Sequence, residues 1–341
     1  IGPSLDGQFH QGNFGIVTAA GFELLPKSDA DVALIARVGR DEDLPAVVEA
    51  LAGLRRQGAI VRVAHVANRE RSWISLAPLL VQELQTLQAI PAAAHPREVA
   101  EEFLRREGFG PWSVVAAVPG RGARQRWARR EIRRSLRGLA RLSFLSDAQF
   151  RGAEKLLSHL IVHPWFRRKL ALLRAVMPLH HLALGIPTDA TIQGVYWPVS
   201  EAHPANGSNP DLSQAGLLYC LPLLPADAEN VRACIEGTRE IFKRYGFEPA
   251  LTVNLLDDRS LEGVFSLAFA RADARQVEAA RACIREAEAF YIRSGWPPYR
   301  VGIESMDLIV DPEKPYWKTV RDLKKVFDPN EIIAPGRYNL S

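Results

Sequence analysis

Two adjacent residues near the C-terminal end, Tyr299 and Arg300, have side chains that could stabilise an oxyanion. A hydroxyl donor and a guanidinium aimed at one oxygen favour its charged form, because both lower the pKa of the acid they contact. That oxygen could belong to a phenolate or, just as well, to a carboxylate. The plainer alternative is a strand tyrosine next to a surface arginine.

The first residues of the chain are rich in glycine and lead into the apolar run Gly15-Ile16-Val17-Thr18. Glycine lets a backbone approach a planar cofactor closely, and amide N–H groups in such a turn can bind carbonyl or phosphate oxygens. The pattern predicts a loop followed by a strand over 15–18. A short glycine-rich stretch is by itself a weak signal of a binding site.

The last third of the chain ends in a predicted helix, Tyr316 to Val326, followed by Phe327-Asp328-Pro329-Asn330 and Ala334-Pro335-Gly336-Arg337. Proline and glycine are the residues that terminate helices, so a compact turn is expected here. The same composition would serve any helix stop.

Several function classes lack their sequence signatures. There is no GxGxxG or GxxxxGK[ST] motif for phosphate binding and no GxSxG nucleophile elbow. The three cysteines lie far apart, which predicts reduced thiols, no disulfide and no zinc site, as in a cytoplasmic setting; a periplasmic location is the alternative. His180 and His181 fit a buried or a surface pair equally well. No apolar run has membrane-spanning length.

The formal charge of +4 comes mainly from one arginine-rich stretch, Arg121 to Arg137. Its arginines recur at helical spacing beside Trp127, Ile132 and Leu136, which predicts the solvated flank of an amphipathic helix. The alternative is a docking face for an acidic partner such as an electron-carrier subunit. No binding to nucleic acid is expected from so mild a net charge.

Alternating apolar and amphipathic segments predict repeated strand-helix-strand units. We expect an α+β fold in which helices cover one face of a largely antiparallel sheet and the other face borders a cavity. A long surface excursion is expected over Pro178 to Gln214. The predicted strands are 32–38, 60–66, 112–118, 139–145, 216–223, 249–256, 261–269 and 299–303, with helices over 44–55, 121–137, 227–245 and 272–294.

Three segments resemble one known family. The segment from Gly2 to Thr18, the run Gly295-Trp296-Pro297-Pro298-Tyr299-Arg300 with Met306-Asp307, and the tail from Phe327 to Arg337 are similar, in that order, to segments of the vanillyl-alcohol oxidase and 4-cresol methylhydroxylase family of FAD-linked oxidases. The resemblance implies FAD as the cofactor and a ferredoxin-like cap, with terminal segments from an incomplete FAD-binding domain. It divides the chain into 1–27, the end of that domain, 28–294, the substrate-binding cap, and 295–341, the return to the FAD-binding domain.

The resemblance also assigns roles to residues. Tyr299 and Arg300 would bind the phenolic oxygen, and the substrate pocket would include Tyr219, Arg259 and Glu304. The flavin would be contacted by Gly12, Asn13, Gly15, Ile16, Val17 and Arg337. Two departures matter: Leu217 stands where some relatives carry a histidine or tyrosine that holds the flavin covalently, and Asp258-Arg259-Ser260 replaces Met-His-His.

The implied activity is oxidation of a 4-alkylphenol or 4-hydroxybenzylic alcohol by hydride transfer to flavin. An FAD-linked oxidase of a 2-hydroxy acid and a non-catalytic, truncated partner subunit are the alternatives. The implied partners are an N-terminal FAD-domain chain or a cytochrome, and a second copy in a homodimer, with no membrane. As a fragment alone, the chain is expected to be inactive.

Overall fold

The computed structural model describes residues 4–24, 31–90, 96–196 and 209–338, without the side chains of Pro96, Ile303 and Glu304. The predicted boundary between residues 27 and 28 lies outside the described residues.

One antiparallel sheet organises the described residues. Its strands follow the order β4-β1-β3-β2-β7-β8-β5, and β6 also pairs with β8. The predicted antiparallel sheet is therefore confirmed. The strands are β1 (Val32–Val38), β2 (Ala64–Asn68), β3 (Trp112–Val118), β4 (Ala140–Leu145), β5 (Ala215–Cys220), β6 (Leu223–Pro225), β7 (Ala250–Leu255) and β8 (Ser260–Ala270).

Nine α-helices occur in the described residues, and four of them cover one face of the sheet. Alternate strand residues such as Leu34, Val114 and Phe265 enter the core between the sheet and α1, α4, α7 and α8. This confirms the predicted fold class. The helices are α1 (Leu44–Arg56), α2 (Arg69–Thr86), α3 (Pro96–Arg106), α4 (Gly122–Ser135), α5 (Asp147–His159), α6 (Pro164–Ala183), α7 (Ala228–Arg244), α8 (Ala274–Arg293) and α9 (Pro315–Phe327).

The opposite face of the sheet is divided into a covered and an open half. Helices α2, α3 and α6 form a second apolar cluster that includes Leu80, Leu104 and Ala171, and α2 and α6 lie against β3 and its neighbours. None of these helices was expected from the sequence pattern. The half formed by β5, β8 and the start of β7 has no such cover in the described residues, and it borders a cavity.

Two predicted strands are wrong and one is displaced. Residues 15–18 form no strand in the described chain, and residues 299–303 form none either: an isolated bridge at Pro298 precedes them and a 3-10 turn begins at residue 303. Pro297 and Pro298 have no N–H to donate to a ladder, which limits pairing there. The strand expected over 60–66 begins at Ala64, because the Ile60 N–H donates to Leu54 O at the end of α1.

The predicted excursion over Pro178 to Gln214 is shorter than expected. Helix α6 continues through Pro178 to Ala183, and a 3-10 turn follows at Ala190–Val195. Residues 197–208 lie outside the described chain.

Candidate functional site

The glycine-rich segment is held in a compact turn near the N-terminal end. A 3-10 turn spans Asp6–Phe9, and Gln11 has a positive φ of 58°. A Cβ on Gly12 would overlap the Gln8 carbonyl oxygen, so this position requires glycine. Asn13 is 2% exposed and donates from Nδ2 to Ala334 O at 3.2 Å. The segment is thereby fastened to the C-terminal tail.

Tyr299 is directed towards the open face of the sheet. Its N–H donates to Leu221 O at 2.7 Å, and the Leu223 N–H donates to Pro297 O at 2.8 Å, which sets Tyr299 opposite Leu221. Opposite residues of an antiparallel pair share a face, and Leu221 shares a face with Tyr219 two residues earlier. Tyr219 and Tyr299, which are 42% and 47% exposed, therefore lie on the same face.

Gln11 joins the three segments singled out from the sequence. Its Nε2 donates to Tyr299 O at 3.1 Å, and its own carbonyl accepts from Arg337 Nε at 3.3 Å. The structure thus brings together the glycine-rich turn, the tyrosine-arginine pair and the tail. Arg300 is exposed and forms no ion pair within the described residues.

A buried lysine stabilises the junction, which is the region where the glycine-rich turn meets the C-terminal tail. Lys324 of α9 is 0% exposed, and its ammonium donates to Asn13 O at 2.5 Å, Asp328 Oδ2 at 2.6 Å and Ile333 O at 2.8 Å. Asp328 also accepts from the backbone N–H groups of Ile332 and Ile333. The bond from Lys324 holds the pKa of Asp328 below its usual value. Three fixed acceptors leave the lysine side chain little freedom.

The residues beyond this turn fit one edge of a flavin site. Ile16 and Val17 are 81% and 59% exposed, and in the described chain the N–H groups of Gly15, Ile16 and Val17 make no hydrogen bond. Exposed apolar side chains and free donors suit a planar ring with carbonyl oxygens. A second, small cavity of about 190 Å³ adjoins the turn between Gly12 and Tyr338.

A larger cavity of about 1180 Å³ lies against the open half of the sheet. Tyr219, Leu217 and Ser266 contribute from the strands, and Arg71 and Trp73 contribute from the first turn of α2. Of the predicted pocket residues, only Tyr219 lines this cavity.

The other two predicted pocket residues lie elsewhere or outside the description. Arg259 is exposed in the turn between β7 and β8, at the end of the sheet where Asp258 pairs with Arg56 of α1 at 3.1 Å. The structure does not bring Arg259 to Tyr219. The side chain of Glu304 lies outside the described residues.

The described residues contain no group of three or more histidine, cysteine or acidic residues placed to hold a metal ion. All three cysteines are free and buried, and burial raises the pKa of Cys234 and Cys283 to about 12. Such thiols are poor nucleophiles at neutral pH. In the described residues no helix combines the length and apolarity needed to cross a bilayer.

Known proteins match almost the whole chain in sequence, although no family model matches it. It is 27% identical to 1'-carboxy-chondrochloren decarboxylase of Chondromyces crocatus, covering 99% of this chain and 61% of that protein. It is 21% identical to the 4-cresol dehydrogenase [hydroxylating] flavoprotein subunit of Pseudomonas putida, covering 99% of this chain and 58% of that protein. The chain spans about three fifths of the length of these relatives.

Solved structures that share the fold include two enzymes that are named for phenols. One is p-cresol methylhydroxylase with substrate bound, with a TM-score of 0.73 and 20% identity over 100% of this chain and 59% of that one. The other is 4-ethylphenol oxidase from Gulosibacter chungangensis, with a TM-score of 0.73 and 19% identity over the same shares. The resemblance to the vanillyl-alcohol oxidase and 4-cresol methylhydroxylase family, in its C-terminal portion, is confirmed.

Sequence reasoning missed the residues that tie this portion of the vanillyl-alcohol oxidase fold together. Lys324 and Asp328 stand four residues apart across the end of a helix, a spacing that signals an ion pair. Gln11 and Arg71 carried no such signal, because their partners and surroundings are distant in sequence.

Proposed function

We propose that this chain forms the substrate-binding part of an FAD-dependent oxidoreductase that oxidises para-substituted phenols, either 4-alkylphenols or 4-hydroxybenzylic alcohols. The observation that carries the proposal is the junction at Gln11, which bonds to Tyr299 O and to Arg337 Nε. This contact supports the proposal because it connects Tyr299, the phenol-binding candidate, to Arg337, which we propose to border the flavin.

The proposed division of the chain is 1–27 and 295–341 in the FAD-binding domain, with 28–294 as the cap. Contacts between the two ends support this division. Lys324 bonds to Asn13 O, Asn13 bonds to Ala334 O, and Phe14 packs with Phe327 at a ring separation of 5.7 Å. The terminal segments therefore contact each other directly, as parts of one domain would.

In this proposal the flavin ring lies along the edge made by Gly12, Asn13, Gly15, Ile16, Val17 and Arg337. Bound FAD would supply a two-electron acceptor for the hydride that leaves the benzylic carbon of the substrate. The free N–H groups of residues 15–17 would hydrogen-bond its carbonyl oxygens, and the absence of a side chain at Gly12 keeps the turn compact.

Tyr299 and Arg300 would bind the substrate oxygen and stabilise it as a phenolate. The Tyr299 hydroxyl donates one hydrogen bond, and the Arg300 guanidinium supplies positive charge, so the phenol loses its proton more readily. A phenolate donates electron density to the para carbon, which eases departure of the hydride. Donors preorganised towards that oxygen contribute about 2–4 kcal/mol each to the transition state.

A 2-hydroxy-acid oxidase is the second candidate, because the same pair could bind a carboxylate. One observation favours a carboxylated substrate: the name of the decarboxylase relative includes a carboxy group. Two departures from the family pattern favour the non-catalytic alternative: Leu217 stands at the position of the flavin-linking residue, and Asp258-Arg259-Ser260 replaces Met-His-His. An FAD-domain chain, a cytochrome and a second copy are the proposed partners.

The decisive experiment uses this chain reconstituted with an FAD-binding domain, called here the FAD-loaded protein, and follows reduction of its bound flavin without oxygen. Mixing with 4-ethylphenol or vanillyl alcohol should bleach the flavin absorbance, and mixing with lactate or glycolate should not. Bleaching by the 2-hydroxy acids alone would select the second candidate. A loaded flavin that none of these compounds reduces would support the non-catalytic alternative.

A further inference from the structure

The large cavity against the open half of the sheet has an apolar floor. Leu217 of β5, Ala268 of β8 and Ala250 of β7 line it, together with Ile74 from α2 and Phe247 from the turn before β7. Its volume of about 1180 Å³ exceeds the roughly 300–1,000 Å³ of ordinary small-molecule pockets. A simple alkylphenol would fill little of this space.

Unpaired hydrogen-bond donors stand in the wall above this floor. Arg71 lines the cavity and is half-buried, and its guanidinium has no partner within the described residues. Ser266 is 3% exposed and its hydroxyl likewise has no partner there. The indole N–H of Trp73 is buried without an acceptor in the described chain. Buried donors are normally satisfied, so these three groups are available to an acceptor on a bound ligand.

Four carboxylates line the same cavity, those of Glu70, Glu101, Glu248 and Asp273, and two of them are already engaged. Glu101 pairs with Arg97 at 3.2 Å, and Asp273 caps α8 by accepting from the N–H groups of Arg275 and Gln276. Burial raises the pKa of Glu70, and nearby Glu248, which is exposed, adds to that rise. None of these groups forms an ion pair with Arg71 in the described residues.

We infer that this cavity binds an organic carboxylate, with Arg71 as its counter-ion, Ser266 as a second donor, and the floor of Leu217, Ala250 and Ala268 beneath its apolar body. Arginine binds carboxylates through parallel N–H donors, and such charge-assisted bonds strengthen where water is partly excluded. The inference rests on the proposed function in one respect: the carboxylate would be the distal end of a phenolic substrate.

The position of Tyr219 supports that connection. Tyr219 lines the cavity and lies on the same face of the sheet as Tyr299, two residues from the point where Tyr299 pairs with Leu221. A ligand with its phenol at Tyr299 would thus extend its para substituent past Tyr219 towards Arg71. The substrate class is a 4-hydroxyphenyl compound with an extended, carboxylate-ended para chain.

The test is calorimetric titration of the FAD-loaded protein with 4-hydroxyphenyl alkanoic acids of increasing chain length, each beside its methyl ester. At the optimal length the acid should bind about tenfold tighter or more than its ester, since only the acid pairs with Arg71. Arg71→Gln should abolish that preference, Arg71→Lys should retain part of it, and Ser266→Ala should reduce it. The matched control is Arg275→Gln on the same cavity rim, whose side chain is 96% exposed, and it should leave the preference intact.

Equal affinities for acid and ester at every length in the unaltered protein would overturn the inference, whatever the variants do. So would equal losses in Arg71→Gln and Arg275→Gln. Flavin reduction by 4-ethylphenol without any acid preference would retain the proposed function and reject this site. An acid preference in a protein whose flavin no phenol reduces would retain the site and reject the proposed function.

Discussion

At the scale of residues, the pair Tyr299 and Arg300 allows a direct test of phenolate binding. In the FAD-loaded protein, Arg300→Ala should lower kcat/KM for 4-ethylphenol roughly 30- to 1,000-fold, because the phenolate loses its counter-ion. That factor corresponds to a loss of about 2–4 kcal/mol of transition-state stabilisation. Arg300 is exposed in the described chain, so this loss requires that bound substrate and flavin cover it. Tyr299→Phe should cost less, since it removes one donor and keeps the ring. Steady-state kinetics measure both effects.

The control for that prediction is a 4-methoxy analogue, which cannot become a phenolate. The unaltered protein should oxidise it slowly, and Arg300→Ala should slow it little further. Arg259→Ala, at the far end of the sheet, should leave kcat/KM for both substrates nearly unchanged. If Arg300→Ala impaired the phenol and its ether equally, the phenolate assignment would be wrong.

His180 gives a prediction about the pH dependence of stability. It is 1% exposed, contacts the Phe150 ring at 4.4 Å and bonds through Nε2 to Asp147 Oδ1 at 2.7 Å. Burial lowers the pKa of His180 by more than the Asp147 bond raises it. Because the pKa of His180 is lowered in the folded protein, its imidazole takes up a proton more readily in the unfolded chain than in the folded one. The stability contributed by neutral His180 is therefore fully present above about pH 6.5 and declines as the pH falls below that value.

Chemical denaturation at several pH values between about 5 and 8 tests this expectation. The unfolding free energy should decline towards pH 5, and His180→Gln should flatten that decline. His181→Gln, at the adjacent and less buried position, should preserve it. The same slope in all three proteins would contradict the argument.

At the scale of elements, α9 fastens the two ends of the chain through Lys324. Lys324→Met should lower the unfolding free energy, because the Asp328 carboxylate and the carbonyls of Asn13 and Ile333 would lose their donor. Lys325→Met, exposed on the same helix, should change stability by no more than about 0.5 kcal/mol. Thermal denaturation compares the two variants. Equal, small effects would show that the lysine does not hold the junction.

The arginine-rich stretch forms helix α4, which packs one face against the sheet. Ala128, Ile132 and Leu136 are fully buried against the sheet, and Arg129 and Arg133 lie over the Phe144 ring at 5.2 and 4.9 Å. The amphipathic helix predicted from the spacing is thus present, with a solvated arginine flank. Docking of an acidic partner on that flank stays a prediction.

At the scale of the whole molecule, the proposed function gives the described chain only one edge of a flavin site. We therefore expect it to bind FAD weakly when it is produced alone, since the residues that would border the ring make few of the contacts a dinucleotide needs. Titration calorimetry of residues 1–341 with FAD measures this. Tight, stoichiometric binding would contradict the proposal that another FAD-binding segment is needed.

The local patterns of the sequence determined the fold class. Strands β1 and β3 and helices α1, α4, α7 and α8 were predictable within a residue or two, because period and caps are local properties. The three similar segments pointed to Tyr299 and Arg337, which the structure joins through Gln11. Helices α2, α3 and α6 escaped prediction in a part of the chain where no strand-helix-strand unit was recognised.

Only the tertiary structure decided which distant groups meet. Lys324 donates to the carbonyl of Asn13, 311 residues away, and Gln11 donates to the carbonyl of Tyr299, 288 residues away. Backbone carbonyls have the same chemistry at every position, so the sequence does not mark these two as acceptors. The cavity that joins Arg71 to Ser266 lies beside α2, which packs against β2, β3 and β7 and leaves the face of β5 and β8 open in the described chain. Such partners follow from packing, and no spacing along the chain encodes them.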